Sequence, residues 1–154
     1  MQDLVYRWNP AAPRADVDAH FHWVGNPWQL LPRLPLLRRR FGWRALLRLA
    51  AVTATPSRAF FFIEHAGLPA SHGRVAFGHC RHYPVEGHAA VLGEIWSDPA
   101  VRGQGLATRA INGAINRLSA HGVRTLYIDT QVGNAPMRRV IERCGFDEVG
   151  RAAA

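Results

Sequence analysis

The sequence predicts one mixed α+β domain, residues 1–154, with helices packed on a mostly antiparallel sheet. Its length of 154 residues is close to the commonest size of a single domain. Hydrophobic residues make up 48% and charged residues 19%, as in an ordinary globular protein. Along the chain, interrupted helix gives way to strand alternation and then to one strand-helix-strand-helix unit, which is the order of an α+β fold.

The first 58 residues predict a strand followed by interrupted helix. Asp3 to Trp8 alternates between apolar and polar residues like a strand, and Ala15 to Trp23 has the spacing of a short helix. Pro32 and Pro35 confine the next regular helix to Leu36 onward, because proline inside a helix removes a hydrogen bond and clashes with the preceding turn.

Strand alternation follows in the middle of the chain. Ala59 to His65 predicts a strand, the segment AGLPASHG predicts a turn-rich connection, and Arg74 to Tyr83 predicts its hairpin partner. Ala89 to Ser97 predicts the next strand, which Asp98-Pro99 ends.

The last third predicts the strand-helix unit. Gly105 to His121 has helical spacing, and Thr125 to Thr130 predicts a strand. Asn134 predicts the N-cap of a further helix that ends near Cys144. Phe146 to Arg151 predicts a final short strand.

The charge of the chain is strongly positive, with a net charge of +8 and a pI near 11.1. Such a charge is typical of proteins with an anionic partner such as nucleic acid. All 19 basic residues are Arg, however, and this pattern is equally typical of a GC-rich genome. No nucleic-acid-binding motif accompanies the charge, so we expect no specific nucleic-acid partner.

The start of the chain, MQDLVYRWNP, has no basic region followed by an apolar one, so we expect a cytoplasmic protein. No stretch approaches the ~20 apolar residues of a membrane span, and we expect no membrane partner. Cys80 and Cys144 have no C-x-x-C spacing. His79 and His82 would point to opposite faces of a strand, so we predict no metal site.

The glycine-rich turn from Asp98 to Thr108 joins a predicted strand to a predicted helix. Gly103 and Gly105 allow an anion to approach the free N–H groups of a helix start, and Arg102 adds a positive charge. A Walker loop is excluded, because the chain contains no Lys. A dinucleotide-binding fingerprint would use Asp129 as its ribose-binding acid, but Thr108 replaces its third small residue.

RGQGLA at 102–107 resembles the pyrophosphate-binding motif of the GNAT N-acetyltransferase superfamily. The strand that ends at Asp98-Pro99 is similar to the family's fourth strand. Asn134, followed by a helix and by Cys144-Gly145-Phe146, resembles a second family segment at its usual distance. The resemblance covers 59–150, the expected cofactor-binding core, and it extends to the acceptor-side region 1–58 only by topology.

The resemblance implies a twisted sheet with helices on both faces, whose fourth strand is bulged and splays from the fifth. It implies acetyl-CoA (coenzyme A) as cofactor, with the pantetheine arm on the splayed strand and the pyrophosphate on the glycine-rich turn. The cofactor-binding residues that it implies are Ile95, Trp96, Ser97, Arg102, Gly103, Gln104, Gly105, Leu106, Ala107, Thr108 and Asn134.

Amine attack on a thioester requires a base, directly or through water. Glu94 and Asp129 are the catalytic candidates, and either can equally be an ordinary solvated carboxylate. Many relatives place a Tyr where this chain has Ile141, as the acid that protonates the thiolate. A thiol with a pKa of about 8.5 leaves tolerably without that acid.

The resemblance also raises two expectations about exposed parts of the chain. The family commonly ends in a hairpin, but only residues 147–154 follow Phe146, enough for one strand. The bare edge would be open or covered by a second copy in a homodimer. Arg40, Arg44 and Arg48 form an i, i+4, i+8 stripe that predicts a solvated helix face.

The sequence therefore predicts an N-acetyltransferase that moves an acetyl group from acetyl-CoA to a primary amine, by direct attack in a ternary complex. The acceptor would be a small molecule or a peptide. One alternative is a catalytically weak acyl-CoA-binding regulatory module, which the Ile141 position favours. A nucleic-acid-binding domain is the other alternative, and only the charge supports it.

Overall fold

The computed structural model describes residues 2 to 153, which form one seven-stranded sheet in the order β2-β3-β4-β5-β6-β1-β7. Only β5 and β6 run parallel, and the other neighbours are antiparallel. The predicted mixed α+β class is confirmed. The elements are β1 Gln2–Trp8, β2 Phe21–Val24, α1 Pro27–Leu30, a 3-10 turn Leu31–Arg33, α2 Leu34–Arg40, α3 Trp43–Ala54, β3 Arg58–His65, β4 Leu68–Phe77, β5 Ala90–Ser97, a 3-10 turn Pro99–Val101, α4 Leu106–Ala120, β6 Leu126–Gln131, α5 Ala135–Arg143 and β7 Phe146–Ala153.

Helices cover both faces of the sheet. On one face, α4 and α5 pack on a core that includes Phe61, Leu92 and Ile128. On the other face, the helices between β2 and β3 pack on a smaller core around Phe60 and Phe62. The alternation of side chains along each strand supplies both cores, because successive residues point to opposite faces.

The helix predicted over Ala15 to Trp23 is wrong, since Phe21–Val24 is an edge strand that pairs with β3. Phe21 also packs against α4 at Gly113, where an added Cβ would collide with the Phe21 ring. Strand pairing and this close packing are long-range contacts, and they override the local helical spacing.

The helical region begins earlier than Leu36. Asn26 caps α1, its Oδ1 accepting from the Gln29 amide at 3.0 Å, and a proline occupies the first turn of both α1 and α2. Proline fits there, because the first N–H groups of a helix have no helical partner. Pro35 therefore starts α2 instead of delaying it.

The β3-β4 hairpin is tighter than predicted. Its turn is Ala66-Gly67, where both residues have positive φ (52° and 74°), and β4 already begins at Leu68. Positive φ at both central residues is the geometry of a two-residue hairpin turn. β4 ends at Phe77, so the strand predicted to run to Tyr83 stops early and 78–89 forms a connection.

The place of the second hairpin strand, which the end of the chain is too short to supply, is filled by β1. β1 lies between β6 and β7 and pairs antiparallel with both, so the N-terminal strand occupies the place where a second hairpin strand was expected. β7 is the single strand predicted after Phe146. Among residues 2 to 153, β7 pairs only with β1 and forms one edge of the sheet, and the homodimer stays a prediction.

The predictions for α4, β6 and α5 agree with the structure to within one or two residues. Among residues 2 to 153, no helix combines the length and apolar composition that a membrane crossing needs.

Candidate active site

The parallel strands β5 and β6 separate after three residue pairs. Pairing ends at Leu92 and Ile128, and beyond it 93–97 of β5 and 129–131 of β6 diverge. We call this gap the fork. The register of β5 against β4 shifts between His72 and Arg74, and Glu94 has a φ of 52°. The splayed and bulged strand pair that the resemblance implied is therefore present.

A cavity of about 560 Å³ extends from the β5 branch of the fork to the glycine-rich turn and α5. All the predicted cofactor-binding residues line it except Gln104, which is exposed in the same turn. The predicted residues in the lining are Ile95, Trp96, Ser97, Arg102, Gly103, Gly105, Leu106, Ala107, Thr108 and Asn134, and those not predicted are Val101, Pro136, Met137, Arg139, Val140 and Arg143.

The glycine-rich turn has the chemistry of an anion site. Gly103 and Gly105 have φ values of 82° and 74°, a left-handed conformation that favours glycine. The first hydrogen bond of α4 runs from the Arg109 amide to the Gly105 carbonyl at 3.0 Å. The preceding amides of the first turn are thus free for a ligand, and that turn contains no acidic side chain.

α5 supplies two cations that the sequence analysis does not identify. Arg139 and Arg143 line the cavity across from Arg102, and all three are exposed. The signal is their position on α5: Pro136, Arg139 and Arg143 share the helix face that follows the Asn134 cap. The Oδ1 of Asn134 accepts from the Met137 amide at 3.3 Å, which confirms the predicted N-cap.

Glu94 lies in the β5 bulge. Its side chain is 67% exposed, and its Oε2 lies 3.0 Å from Nη1 of Arg74 on β4. This carboxylate forms an ion pair at the surface, where water screens the charge.

Asp129 is the first residue of β6 beyond the segment that pairs with β5, at the apex of the fork. Tyr83, from the connection 78–89, donates a hydrogen bond to Asp129 Oδ1 at 3.3 Å. Burial raises the pKa of Asp129, and the nearby charge of Asp3 raises it further. Burial also raises the pKa of Tyr83, so its hydroxyl stays protonated and can donate.

Asp3 reaches this site from β1. Val5 pairs with Asp129 and Asp3 with Gln131, so Asp3 and Asp129 are diagonal neighbours on one sheet face. Asp3 is only 9% exposed, and its Oδ1 has no hydrogen-bond partner within residues 2–153. The sequence signal is a carboxylate inside an otherwise apolar strand, whose position beside β6 only the tertiary fold reveals.

The end of β5 is braced on the α2 side. The ring of Trp96 stacks on His72 at 5.2 Å between centroids, and the Arg40 guanidinium lies 4.6 Å from the Trp96 ring. Arg40 also pairs with Asp98 at 2.9 Å. The predicted solvated stripe is therefore wrong for Arg40, which contacts Trp96 and Asp98. Gly42 separates α2 from α3, so Arg40 lies on a different helix from Arg44 and Arg48, which are exposed on α3.

The position of the family tyrosine holds no acid. Ile141 is fully buried in the core. The neighbouring Cys144 is buried too, and burial raises the pKa of its thiol to about 12. Its Sγ donates to the Thr108 carbonyl at 3.7 Å, so this thiol packs behind the turn. Among the described residues, no cluster of three His, Cys, Asp or Glu side chains forms that could hold a metal ion.

A curated protein shares part of this sequence. The chain is 29% identical over 75 residues to the ribosomal protein bS18-alanine N-acetyltransferase of Haemophilus ducreyi, an alignment that covers 49% of this chain and 50% of that protein. The matched segment is thus about half the length of the curated relative.

Solved structures share the fold. A GNAT-family acetyltransferase from Novosphingobium aromaticivorans has a TM-score of 0.65 at 21% identity; the match covers 98% of this chain and 61% of that one. The aminoglycoside N-acetyltransferase AAC(6')-Iy, solved with a bisubstrate analogue that contains CoA, has a TM-score of 0.62 at 20% identity. This match covers 88% of this chain and 97% of that one. The ribosomal-protein-S18-alanine N-acetyltransferase of Escherichia coli has a TM-score of 0.57 at 22% identity. This match covers 84% of this chain and 79% of that one.

The family model of the GNAT acetyltransferases matches residues 17–146, which is most of the chain. The match begins just before β2 and ends at Phe146, so it contains the fork, the glycine-rich turn and α5. With the forked sheet and the cavity that runs from it to the turn, this match establishes that the chain belongs to the acetyltransferase (GNAT) family.

Proposed function

We propose that this protein transfers an acetyl group from acetyl-CoA to a primary amine, by direct attack in a ternary complex. One observation carries the proposal: a single cavity joins the β5 branch of the fork to a helix start built for phosphate. The pantetheine arm of acetyl-CoA fits such a cavity, because it joins the diphosphate at one of its ends to the thioester at the other.

The cavity residues fit CoA in chemistry as well as in shape. The free amides at the start of α4 are suited to the diphosphate, and Arg102, Arg139 and Arg143 supply three positive charges around it. The unpaired edge of Ile95 to Ser97 is suited to the amide groups of the pantetheine arm, which can pair with it like a strand. The aminoglycoside N-acetyltransferase AAC(6')-Iy, which shares this fold, has been crystallised with CoA in two crystal forms, and this supports the same cofactor here.

Asp129, at the apex of the fork, is the carboxylate best suited to act on the amine. The amine nitrogen bonds to the carbonyl carbon, and Asp129 takes the amine proton directly or through water. A backbone N–H near Trp96 is suited to the oxyanion, a contribution of about 3 kcal/mol per donor. The C–S bond then breaks, and the CoA thiolate takes a proton from solvent, since Ile141 and Cys144 offer none. Asp129 returns the amine proton to solvent, so no net proton is gained or lost by the enzyme.

Asp129 suits the role of base better than Glu94. A base works best when its pKa lies near the working pH, and burial raises the pKa of Asp129 toward that range. Glu94 is exposed and already engaged by Arg74. Tyr83 fixes the orientation of the Asp129 carboxylate through its hydrogen bond.

The relatives support an amine acceptor of two kinds. One named relative acetylates an alanine of a ribosomal protein, and another acts on aminoglycosides. We therefore propose a peptide N-terminus or a small aminated molecule as the acceptor.

The cofactor assignment is tested by thermal unfolding with and without acetyl-CoA. A ligand that binds only the folded state stabilises it by ~2.7 kcal/mol at a hundred times Kd, so the melting temperature should rise by several degrees. Gly105→Glu should abolish the rise, since it puts bulk and negative charge at the left-handed N-cap. Arg143→Glu should reduce it without disturbing the turn.

The matched control is Arg48→Glu, which makes the same charge change at an exposed site on α3, outside the cavity. Equal stabilisation of Gly105→Glu, Arg143→Glu and the unmodified protein would contradict the assignment. CoA release should then be measured with amino acids, aminoglycosides and peptide N-termini. Stabilisation by acetyl-CoA without release from any amine would instead favour the regulatory module, which the buried Ile141 allows.

A further inference from the structure

A second cavity, of about 450 Å³, lies beside the second half of α4, away from the glycine-rich turn. The segment before β2, β2 itself, α1 and the following 3-10 turn form its other walls. Its lining residues are Val17, Asp18, Phe21, Trp23, Gln29, Arg33, Gly113, Asn116 and Arg117. None of these residues lines the first cavity. The two cavities are separate sites on one helix, and Thr108 and Arg117 lie roughly 13 Å apart along its axis at 1.5 Å per residue.

Two arginines in this cavity have no acidic partner within residues 2–153. Arg33 and Arg117 form no ion pair there, and the one acidic lining residue, Asp18, is held by Arg109 through two hydrogen bonds of 2.6 and 3.0 Å. The Nε–H of Arg117 is buried and has no hydrogen-bond partner among these residues. A buried donor of this kind destabilises the folded state when it stays unpaired.

The two positive charges act on each other. Burial lowers the pKa of Arg33, and the charge of Arg117 lowers it further. Arg33 is held in place, since its Nε donates to His22 Nδ1 at 3.3 Å and its Nη1 donates to the Gln29 carbonyl at 2.6 Å. A bound anion would relieve the repulsion and offer an acceptor to Arg117.

The other walls indicate what the anion carries. The Trp23 ring lies 6.0 Å from the Arg117 guanidinium, and Phe21 forms a second aromatic wall. Asn116 donates its Nδ2 to the Ala15 carbonyl at 3.0 Å, which fixes its amide at the rim. Planar guanidinium groups recognise carboxylates with particular geometric specificity, and flat apolar groups pack well on aromatic rings.

We propose that this cavity is a binding site for a small aromatic carboxylate, whose carboxylate lies between Arg33 and Arg117 and whose ring packs on Trp23 and Phe21. The site is independent of the proposed acetyl-CoA site, and it adds a second ligand to the acetyltransferase fold.

The test is NMR titration of the arginine Nε–H signals in protein labelled with nitrogen-15. Benzoate should shift the Arg117 and Arg33 signals saturably, whereas neutral benzamide, of the same shape, should not. Arg33→Gln and Arg117→Gln should each weaken benzoate binding at least tenfold. Arg48→Gln, which removes an exposed arginine outside this cavity, should leave it unchanged. A cooperative melting transition for each variant separates loss of the site from loss of the fold.

Three outcomes would overturn the proposal. The first is the absence of a saturable shift with benzoate. The second is benzoate binding that survives both arginine substitutions. In the third, inorganic phosphate saturates the site and benzoate does not, which would keep an anion site but exclude the carboxylate. None of these readouts depends on acetyl-CoA binding or turnover, so the proposed function can fail separately.

Discussion

The two branches of the fork hold their carboxylates in opposite environments. On β5, Glu94 extends from the bulge into solvent with its side chain 67% exposed, and it pairs with Arg74. On β6, Asp129 lies partly buried under the connection 78–89, where Tyr83 contacts it and Asp3 lies nearby. The same chemical group thus has a screened charge on one branch and a costly charge on the other.

This difference shows how the fold can select one of two nearby acids as a base. Burial and a neighbouring negative charge both favour the protonated acid, and both act on Asp129. Burial has the larger effect on the Asp129 pKa, and β1 adds to it because it brings Asp3 beside β6. The β5 branch instead provides backbone groups along the cavity. We infer that one branch of the fork binds the cofactor and the other provides the chemistry.

The largest expected effect follows from removing the buried carboxylate. Asp129→Asn should lower turnover at neutral pH by about 10- to 1000-fold, in the range of lost general-base catalysis. The rise in melting temperature with acetyl-CoA should persist, because Asp129 does not line the cofactor cavity. Steady-state CoA release with a good acceptor measures the loss. Full turnover by Asp129→Asn would show that the β6 branch does not carry the base.

A smaller effect is expected from Asp3→Asn. Loss of the neighbouring charge should lower the pKa of Asp129, so more of it is deprotonated in mild acid. The acidic limb of the pH-rate profile should move to lower pH, and turnover there should rise about threefold, while the plateau at higher pH stays unchanged.

Unfolding gives an independent check of the same charge interaction. Because the pKa of Asp129 is raised in the folded state, this carboxyl contributes to the free energy of unfolding at low pH. That contribution is lost as the pH rises through the folded-state pKa of Asp129. Asp3→Asn should reduce that loss, whereas the exposed Asp16→Asn should not. An unmoved acidic limb together with an unchanged pH dependence of stability would show that Asp3 and Asp129 do not interact.

Features set by local sequence agree best with the structure. The glycine-rich turn, the Asn134 cap and the helix between them depend on residues close in sequence. Gly103 and Gly105 adopt the left-handed conformations that an anion-binding turn needs, and their residue type alone indicates this. The positions of Arg139 and Arg143 in the cavity could have been predicted in the same way, from their spacing along the helix that Asn134 caps.

Features that depend on contacts between residues distant in sequence could not be predicted from the sequence. Phe21–Val24 is a strand because it pairs with β3 and packs on Gly113, although the spacing from Ala15 to Trp23 predicts a helix. β1 lies between β6 and β7, a placement that no local pattern reports. The influence of Asp3 on the pKa of Asp129 could be identified only from that placement, since it depends on Asp129 lying diagonally across the β1-β6 pair.

The smallest effect is expected from Glu94→Gln, the matched counterpart of Asp129→Asn. An exposed ion pair contributes about 0.2–1 kcal/mol, so the free energy of unfolding should change by no more than this. The change should shrink further in high salt, because ions screen exposed charges. Urea unfolding at low and high salt measures both effects.

Turnover by Glu94→Gln should stay within about threefold of the unmodified protein, since general-base loss would cost far more. The comparison depends on the ratio between the two variants. If Glu94→Gln loses as much turnover as Asp129→Asn, the exposed carboxylate takes part in proton transfer, and burial is not what distinguishes the branches. If Glu94→Gln alone loses turnover, the base lies on β5, and the ion pair with Arg74 must open when the acceptor binds.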